Sequence, residues 1–209
     1  MIKIQDIVRD IIYEQDEALY ALVHDFMNLS RYAKSIQREV SRRAKKSVGV
    51  PSIVVALSRL QHTLPRRHPL IQSVVINTIT TKSPLSELAF TKTPRLMGKL
   101  SSLYDQVQTT SDDFLTMTLS TSDVTVICSD RIKPAILRHL RTKPSLVTPG
   151  LAALGLTLDP KYYHLPNITY TLLRRIARKR IVLAETITTH REIIFVFAQK
   201  HLAEIVGLF

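Results

Sequence analysis

Residues 166–199, PNITYTLLRRIARKRIVLAETITTHREIIFVFAQ, change their hydrophobic period partway along. First Ile168, Leu172 and Ile176 recur every four residues, and Arg174, Arg175, Arg178, Lys179 and Arg180 fill the other side. That spacing predicts a helix with one apolar and one strongly basic face. From Ile181 onward the residues turn β-branched, and IVLAETITT and EIIFVFAQ read as two strands around a short turn. Upstream, LAALGLTLD (151–159) is strand-like; downstream, KHLAEIVGLF (200–209) is helical. The order strand, helix, strand, strand, helix becomes βαββαβ with a short final strand, which is the ferredoxin-like arrangement. Its antiparallel sheet carries the helices on one face.

The same order occurs once before. IQSVVINTIT (71–80) reads as a strand and KSPLSELAFTKT (82–93) as a long loop. PRLMGKLSSLYDQV (94–107) carries Leu96, Leu100, Leu103 and Val107 at helical spacing. DFLTMTLS and DVTVIC are two strands, and SDRIKPAILRHL (129–140) is a helix with Pro134 early enough to be tolerated. RTKPSLVTPG (141–150) connects the two halves. The repeat extends to residues: TLSTSDVTVIC starts at Thr118 and TITTHREIIFVF at Thr186, about 68 residues later, with one residue inserted in the second turn.

Residues 1–64 are different. Ile4, Ile7, Val8, Ile11 and Ile12 form a helical stripe, and Leu19, Leu22, Val23 and Phe26 form another. NLSRYAKSIQREVSRRAKK opens with Asn28 and Ser30, both suited to capping a helix. Gly49 then interrupts, and Pro51 suits the first turn of PSIVVALSRL. A basic helix, a tight turn and a short helix are compatible with a helix-turn-helix. A helical bundle serving packing or dimerisation fits the same pattern. HTLPRRHPL (62–70) reads as the linker that follows. The chain is therefore expected to be α+β: a helical domain (1–64), then two ferredoxin-like modules (70–148 and 149–209).

The net charge is +12, unevenly spread. Residues 1–30 carry −4, residues 31–67 carry +9 and residues 131–180 carry +10. Two basic blocks suit a polyanionic partner. The candidate nucleic-acid contacts are Arg38, Arg42, Arg43, Lys45, Lys46, Ser52 and Arg59. Arginine pairs with guanine edges, and serine reaches bases or phosphate.

Catalytic signatures are missing. His190 and Glu192 form a His-x-Glu, but the zinc deaminase pattern also needs Pro-Cys-x-x-Cys, and no cysteine follows. Glu185 and Glu192 could face each other across the last hairpin, yet nothing brings them a third catalytic group. No glycine-rich phosphate loop and no nucleophile elbow occur. The histidines lack metal-ligand spacing, and Cys128, the sole cysteine, reads as a core thiol. No catalytic residue, metal or cofactor is expected. The N-terminus lacks the pattern of a signal peptide, and no apolar run is long enough to span a bilayer. The expected location is cytoplasmic, with no membrane partner. Phe195 and Phe197 share one strand face, where a ferredoxin-like RNA binder would stack bases; packing beneath the helices is the other reading.

Over LGLTLDPKYYHLPNITYTLLRRIARKRIVLAETITTHREIIFVFAQKHLAEIV (154–206) the chain resembles an ACT domain. Residues 70–148 resemble a more diverged copy. The N-terminal helices are similar to those preceding such domains in small bacterial and archaeal proteins, some labelled aspartate kinase, a label that would describe the regulatory module alone. The resemblance implies modules that pair side by side, within one chain or across a dimer, with a homodimer the expected partner state, and an amino-acid ligand near the loop between first strand and first helix. That loop is DPKYYHLPN, which makes Asp159, His164, Pro166 and Asn167 the candidate ligand residues. The family usually places a glycine beside the position of Asn167, so that backbone amides can approach a carboxylate; asparagine also tolerates unusual backbone angles. The expected function is a non-catalytic regulator, DNA-binding through its helices and amino-acid-sensing through its ACT-like pair. The alternatives are an RNA-binding protein, or an allosteric subunit of an amino-acid biosynthetic enzyme.

Overall fold

The computed structural model describes residues 3–65 and 73–209, so most of the expected linker lies outside the described residues. The chain divides into two compact units, Met1–Gln72 and Ser73–Phe209.

The first unit holds four helices: α1 (Ile4–Tyr13), α2 (Asp16–Val23), α3 (Leu29–Ala44) and α4 (Val50–Thr63). The expected stripes make its core. Ile7, Val8, Ile11 and Ile12 of α1 pack with Leu19, Leu22, Ile36, Val40, Ile53, Leu57 and Leu60. Each such side chain contributes about 1.5–3 kcal/mol on full burial. Asn28 takes the capping role, its side chain accepting a bond from the Arg31 amide at 3.0 Å. Phe26 departs from its stripe. α2 stops at Val23, Asp25 turns the chain at φ 61°, and the Phe26 side chain is left 74% exposed.

The second unit is a six-stranded antiparallel sheet in the order β2-β3-β1-β4-β6-β5. Its elements are β1 (Ile76–Thr91), α5 (Pro94–Leu100), α6 (Leu103–Gln106), β2 (Leu115–Leu119), β3 (Asp123–Ser129), α7 (Lys133–Leu140), β4 (Leu146–Leu158), α8 (Ile168–Ala177), β5 (Leu183–Thr188), β6 (Glu192–Ala198) and α9 (Leu202–Val206). The two hairpins that repeat in sequence, β2–β3 and β5–β6, occupy opposite edges of the sheet.

The expected loop at 82–93 is instead the second half of β1. Leu85 to Thr91 pair residue by residue with β3. Pro84 disguises the strand, but it sits where the β1–β4 ladder slips between Lys82 and Leu85. A strand tolerates a residue without an N–H at such a bulge. β4 likewise begins five residues earlier than LAALGLTLD, at Leu146. Its own irregularity holds Pro149 and Gly150, the glycine at φ 70°, a conformation it reaches without a Cβ clash.

These two long strands serve both halves of the sheet. Read as β4-β1-β3-β2, one half has ferredoxin-like order; read as β1-β4-β6-β5, so does the other. The strand that completes the second half does not follow α9. It is Ile76–Lys82 of β1, paired with β4 from Leu158 back to Ala153. Helices α5, α6 and α7 cover Leu88, Phe90, Val124 and Val126. Helices α8 and α9 cover Leu154, Leu156, Phe195 and Phe197. Phe195 and Phe197 are fully buried there, so neither is available to stack a base. On the opposite face Leu85, Ile127, Leu151, Ala153 and Val196 form a smaller cluster. The sheet curls over this cluster until its edges meet: Thr118 Oγ1 on β2 lies 3.5 Å from Glu185 Oε1 on β5.

Candidate functional site

The ferredoxin order places the start of α8 and the β5–β6 turn at the same end of the sheet. Between them lies a cleft of about 360 Å³. Residues 167–170 form one wall and residues 188–193 the other, with Leu158, Tyr162 and Tyr163 completing it.

The first wall is a helix N-terminus, which exposes backbone N–H groups and a partial positive charge. Asn167, the residue before α8, sits in the left-handed region at φ 66°, ψ 12°. Asparagine is among the few residues with a side chain that visit this region readily. Its backbone carbonyl accepts from the Thr171 amide at 2.9 Å and the Thr171 hydroxyl at 2.8 Å. Its side chain does not cap the helix. The equivalent helix of the other half is closed instead: Thr93 Oγ1 accepts the Leu96 amide at 3.2 Å at the start of α5. Tyr170, in the same wall, has a buried hydroxyl with no hydrogen-bond partner among the described residues. Buried polar atoms without partners are uncommon in folded proteins.

The second wall is a tight turn. Thr189 donates its amide to the Glu192 carbonyl at 2.8 Å, and its hydroxyl oxygen accepts the Glu192 amide at 3.1 Å. His190 is exposed, with its ring 5.0 Å from that of Tyr163, whose hydroxyl donates to the Leu158 carbonyl at 3.3 Å. The Glu192 carboxylate accepts from Thr80 Oγ1 at 3.2 Å. Glu185 and Glu192 do not face each other: in the β5–β6 ladder Glu185 is opposite Val196, and its carboxylate is beside Thr118. Burial first, and then the neighbouring Glu87 carboxylate, push Glu185 above the usual carboxylate range.

Of the four ligand residues expected from sequence, Asn167 alone lines this cleft. Asp159 caps the short turn Pro160–Tyr162, accepting the Lys161 amide at 3.0 Å and pairing with its ammonium at 3.4 Å. Those contacts hold its carboxyl below the usual range. His164 lines an adjacent depression with His190 and Arg191, and Pro166 is exposed. The β5–β6 turn and Tyr170 were not anticipated as wall residues. The βαββαβ order was the signal for the turn, because it brings the first-helix start and the central hairpin to one end.

The basic residues of the first unit separate into two groups. Arg38, Arg42, Lys45, Lys46, Ser52 and Arg59 are exposed. Arg43 is committed to its own fold: it donates to both Glu14 oxygens at 2.8 and 2.7 Å and to Glu39 at 2.6 Å, tying α1 to α3. Arg42 also reaches Glu39, at 2.6 Å. These bonds lower both carboxyls and raise the arginine. Among the described residues no cluster of three or more His, Cys, Asp or Glu could hold a metal. No helix among them is long and apolar enough to cross a membrane.

No family model matches the chain, and no curated protein does. Solved structures do. The chain is similar to the aspartate kinase of Clostridium acetobutylicum, with a TM-score of 0.54 and 12% identity, over 66% of this chain and 35% of that one. It is similar to the regulatory subunit of aspartate kinase from Thermus thermophilus, with a TM-score of 0.52 and 7% identity, over 64% and 95%. The Thermus flavus regulatory subunit gives 0.51 and 7%, over 66% and 96%. The match thus spans about a third of the Clostridium enzyme but nearly all of each Thermus regulatory subunit. At these identities the likeness is one of fold: a curled antiparallel sheet with helices.

Proposed function

We propose that this chain is a non-catalytic allosteric module that binds an amino acid at the start of α8 and transmits its presence to a partner enzyme. One observation carries the reading. The α8 N-terminus opens onto a cleft without a side-chain cap, whereas the matching α5 terminus is closed by Thr93. Left-handed Asn167 supplies the backbone turn that a glycine would supply. An α-carboxylate suits the bare amides and helix dipole. The cleft volume suits a small molecule. The likeness to aspartate kinase regulatory subunits supports a regulatory role, and pairing of such modules makes a homodimer the expected state.

The test is a thermal-shift screen of the chain against the standard amino acids, repeated with Asn167→Asp. A ligand that binds only the folded state raises the Tm. The aspartate adds negative charge where the ligand carboxylate would sit, while favouring the helix terminus itself. The expected result is a shift with one or a few amino acids that Asn167→Asp abolishes without lowering the unliganded Tm. Shifts that Asn167→Asp leaves intact would refute this site.

DNA contact by the first unit is a second reading. Arg38, Lys45, Lys46 and Arg59 are exposed and, among the described residues, have no ion-pair partner. Duplex binding that weakens steeply with salt, through counterion release, would support it. Salt-independent binding would count against it.

A further inference from the structure

Among the described residues a minority of the basic side chains meet an acid: Arg9, Arg42, Arg43, Lys82, Arg131, Lys161 and Lys179 each reach a carboxylate. Four that do not are gathered between α5 and α7. Arg95, Lys99, Arg138 and Arg141 line one open groove with Gln106 and His139, about 460 Å³ in volume. Among the described residues no carboxylate lies within ion-pair distance of any of the four cations.

The groove is built in part from fixed bonds. Lys99 Nζ donates to the Leu140 carbonyl at the end of α7. His139 Nε2 lies 2.8 Å from the Lys99 carbonyl and 3.2 Å from Ser102 Oγ, so the ring is held between the helices. Nε2 therefore carries the proton that the carbonyl accepts. Arg95 and Lys99 are four residues apart on α5 and share a face. Arg141 turns out of α7 in the left-handed conformation, at φ 45°. Arg95, Arg138 and Arg141 remain exposed. Burial and then the charges of Arg95 and Arg141 hold Lys99 below its ordinary range, a sign that the cations crowd one another.

A helix C-terminus alone does not explain this gathering. Its partial charge is about half an electron, which Lys99 already answers, and four cations converge here. Their mutual repulsion is relieved by an anion of several charges. Arginine forks match phosphate oxygens two bonds at a time. The groove's volume lies in the small-molecule range of about 300–1,000 Å³, and its lining comes from α5, α6 and α7. We infer that this groove binds a phosphorylated small molecule bearing a di- or triphosphate. The site is separate from the α8 cleft and does not depend on amino-acid binding there.

The test titrates the full chain with inorganic tripolyphosphate by calorimetry at fixed ionic strength, alongside Arg95→Gln/Arg141→Asn and a control variant, Arg178→Gln/Lys200→Gln. All four positions are exposed, so folding should survive, and each variant's Tm checks this. The expected result is one saturable site per chain, weakened about tenfold or more by the groove variant and unchanged in the control. No binding would overturn the inference. Equal losses in both variants would also overturn it, as a general effect of net charge. Tight binding of a DNA or RNA duplex, lost in the groove variant, with none of tripolyphosphate, would reassign the groove to nucleic acid and overturn the small-molecule inference.

Discussion

Replacing Gly155 with alanine should destabilise the second unit at the seam where β1, β4 and β6 meet. A Cβ at Gly155 would lie 2.0 Å from Glu192 Oε1, 2.4 Å from Thr80 Oγ1 and 3.0 Å from Glu192 Cδ. Non-bonded atoms rest at about 3.5–4.0 Å, so both side chains must move by more than an ångström. Glu192 can swing outward, but this breaks its 3.2 Å bond to Thr80, worth about 1 kcal/mol. Thr80 is stiff at χ1, and leaving its rotamer costs about 0.5–1.5 kcal/mol. The sum is about 1–3 kcal/mol, the usual range for overpacking. In a chain of this size each kcal/mol lowers Tm by about 2–4 °C. The assay is urea denaturation followed by a sheet-sensitive signal, for Gly155→Ala, Glu192→Ala and the pair. The cost of Gly155→Ala should fall by about half in the Glu192→Ala background, because one of the two obstructions is already gone. A Gly155→Ala change within about 0.3 kcal/mol of wild type, with no coupling to Glu192→Ala, would refute the packing described for this seam.

Other perturbations test separate contacts. Glu185→Gln should stabilise the protein at neutral pH: burial and Glu87 raise the carboxyl, so ionising it costs stability as pH rises from the unfolded value through the raised folded one. The gain should vanish at pH below the normal carboxylate range; a constant gain across pH would contradict this origin. Asp113 behaves oppositely. Two bonds from Arg131 hold its carboxyl well below the usual range, so its contribution is present at neutral pH and lost as acid protonates it; Asp113→Asn should therefore flatten the acid limb of a stability–pH curve. Cys128 is fully buried and its thiol is pushed up to about 12, so a thiol reagent at mildly alkaline pH should label it only after unfolding. Rapid native labelling would place Cys128 elsewhere. Arg43→Ala should lower the stability of the first unit at low salt, and the difference should shrink as salt is added.

The elements legible in sequence were those whose period the fold leaves intact. The α1 stripe at Ile7, Val8, Ile11 and Ile12 became core, and both repeating hairpins became paired strands. The unreadable elements were those where local chemistry and tertiary pairing disagree. Pro84 and the polar residues around it resemble a loop, yet β3 and β4 on either side give that backbone its partners. Pro149 and Gly150 hide the start of β4 in the same way. The helix expected over 94–107 breaks at Ser101–Ser102 into α5 and α6, although Leu96, Leu100, Leu103 and Val107 are all buried as their spacing predicts. Of the loop residues expected together, Asn167 lines the cleft and Asp159 and His164 do not, because nearness along a loop is not nearness in space. Asp159 turns back to cap its own turn. The opposite wall comes from residues 188–193, some twenty positions away, and only the topology brings it across.

The most direct test of the regulatory reading is a two-dimensional amide NMR titration of the chain with the amino acid that gives the largest thermal shift. Binding at the α8 terminus should move the amide signals of Ile168, Thr169 and Tyr170 together with those of Thr189, Arg191 and Glu192. Signals around Arg95 and Arg141 should stay in place. Saturable shifts elsewhere in the chain, with residues 168–170 unmoved, would contradict the proposed site. No response to any amino acid would contradict the sensing role itself.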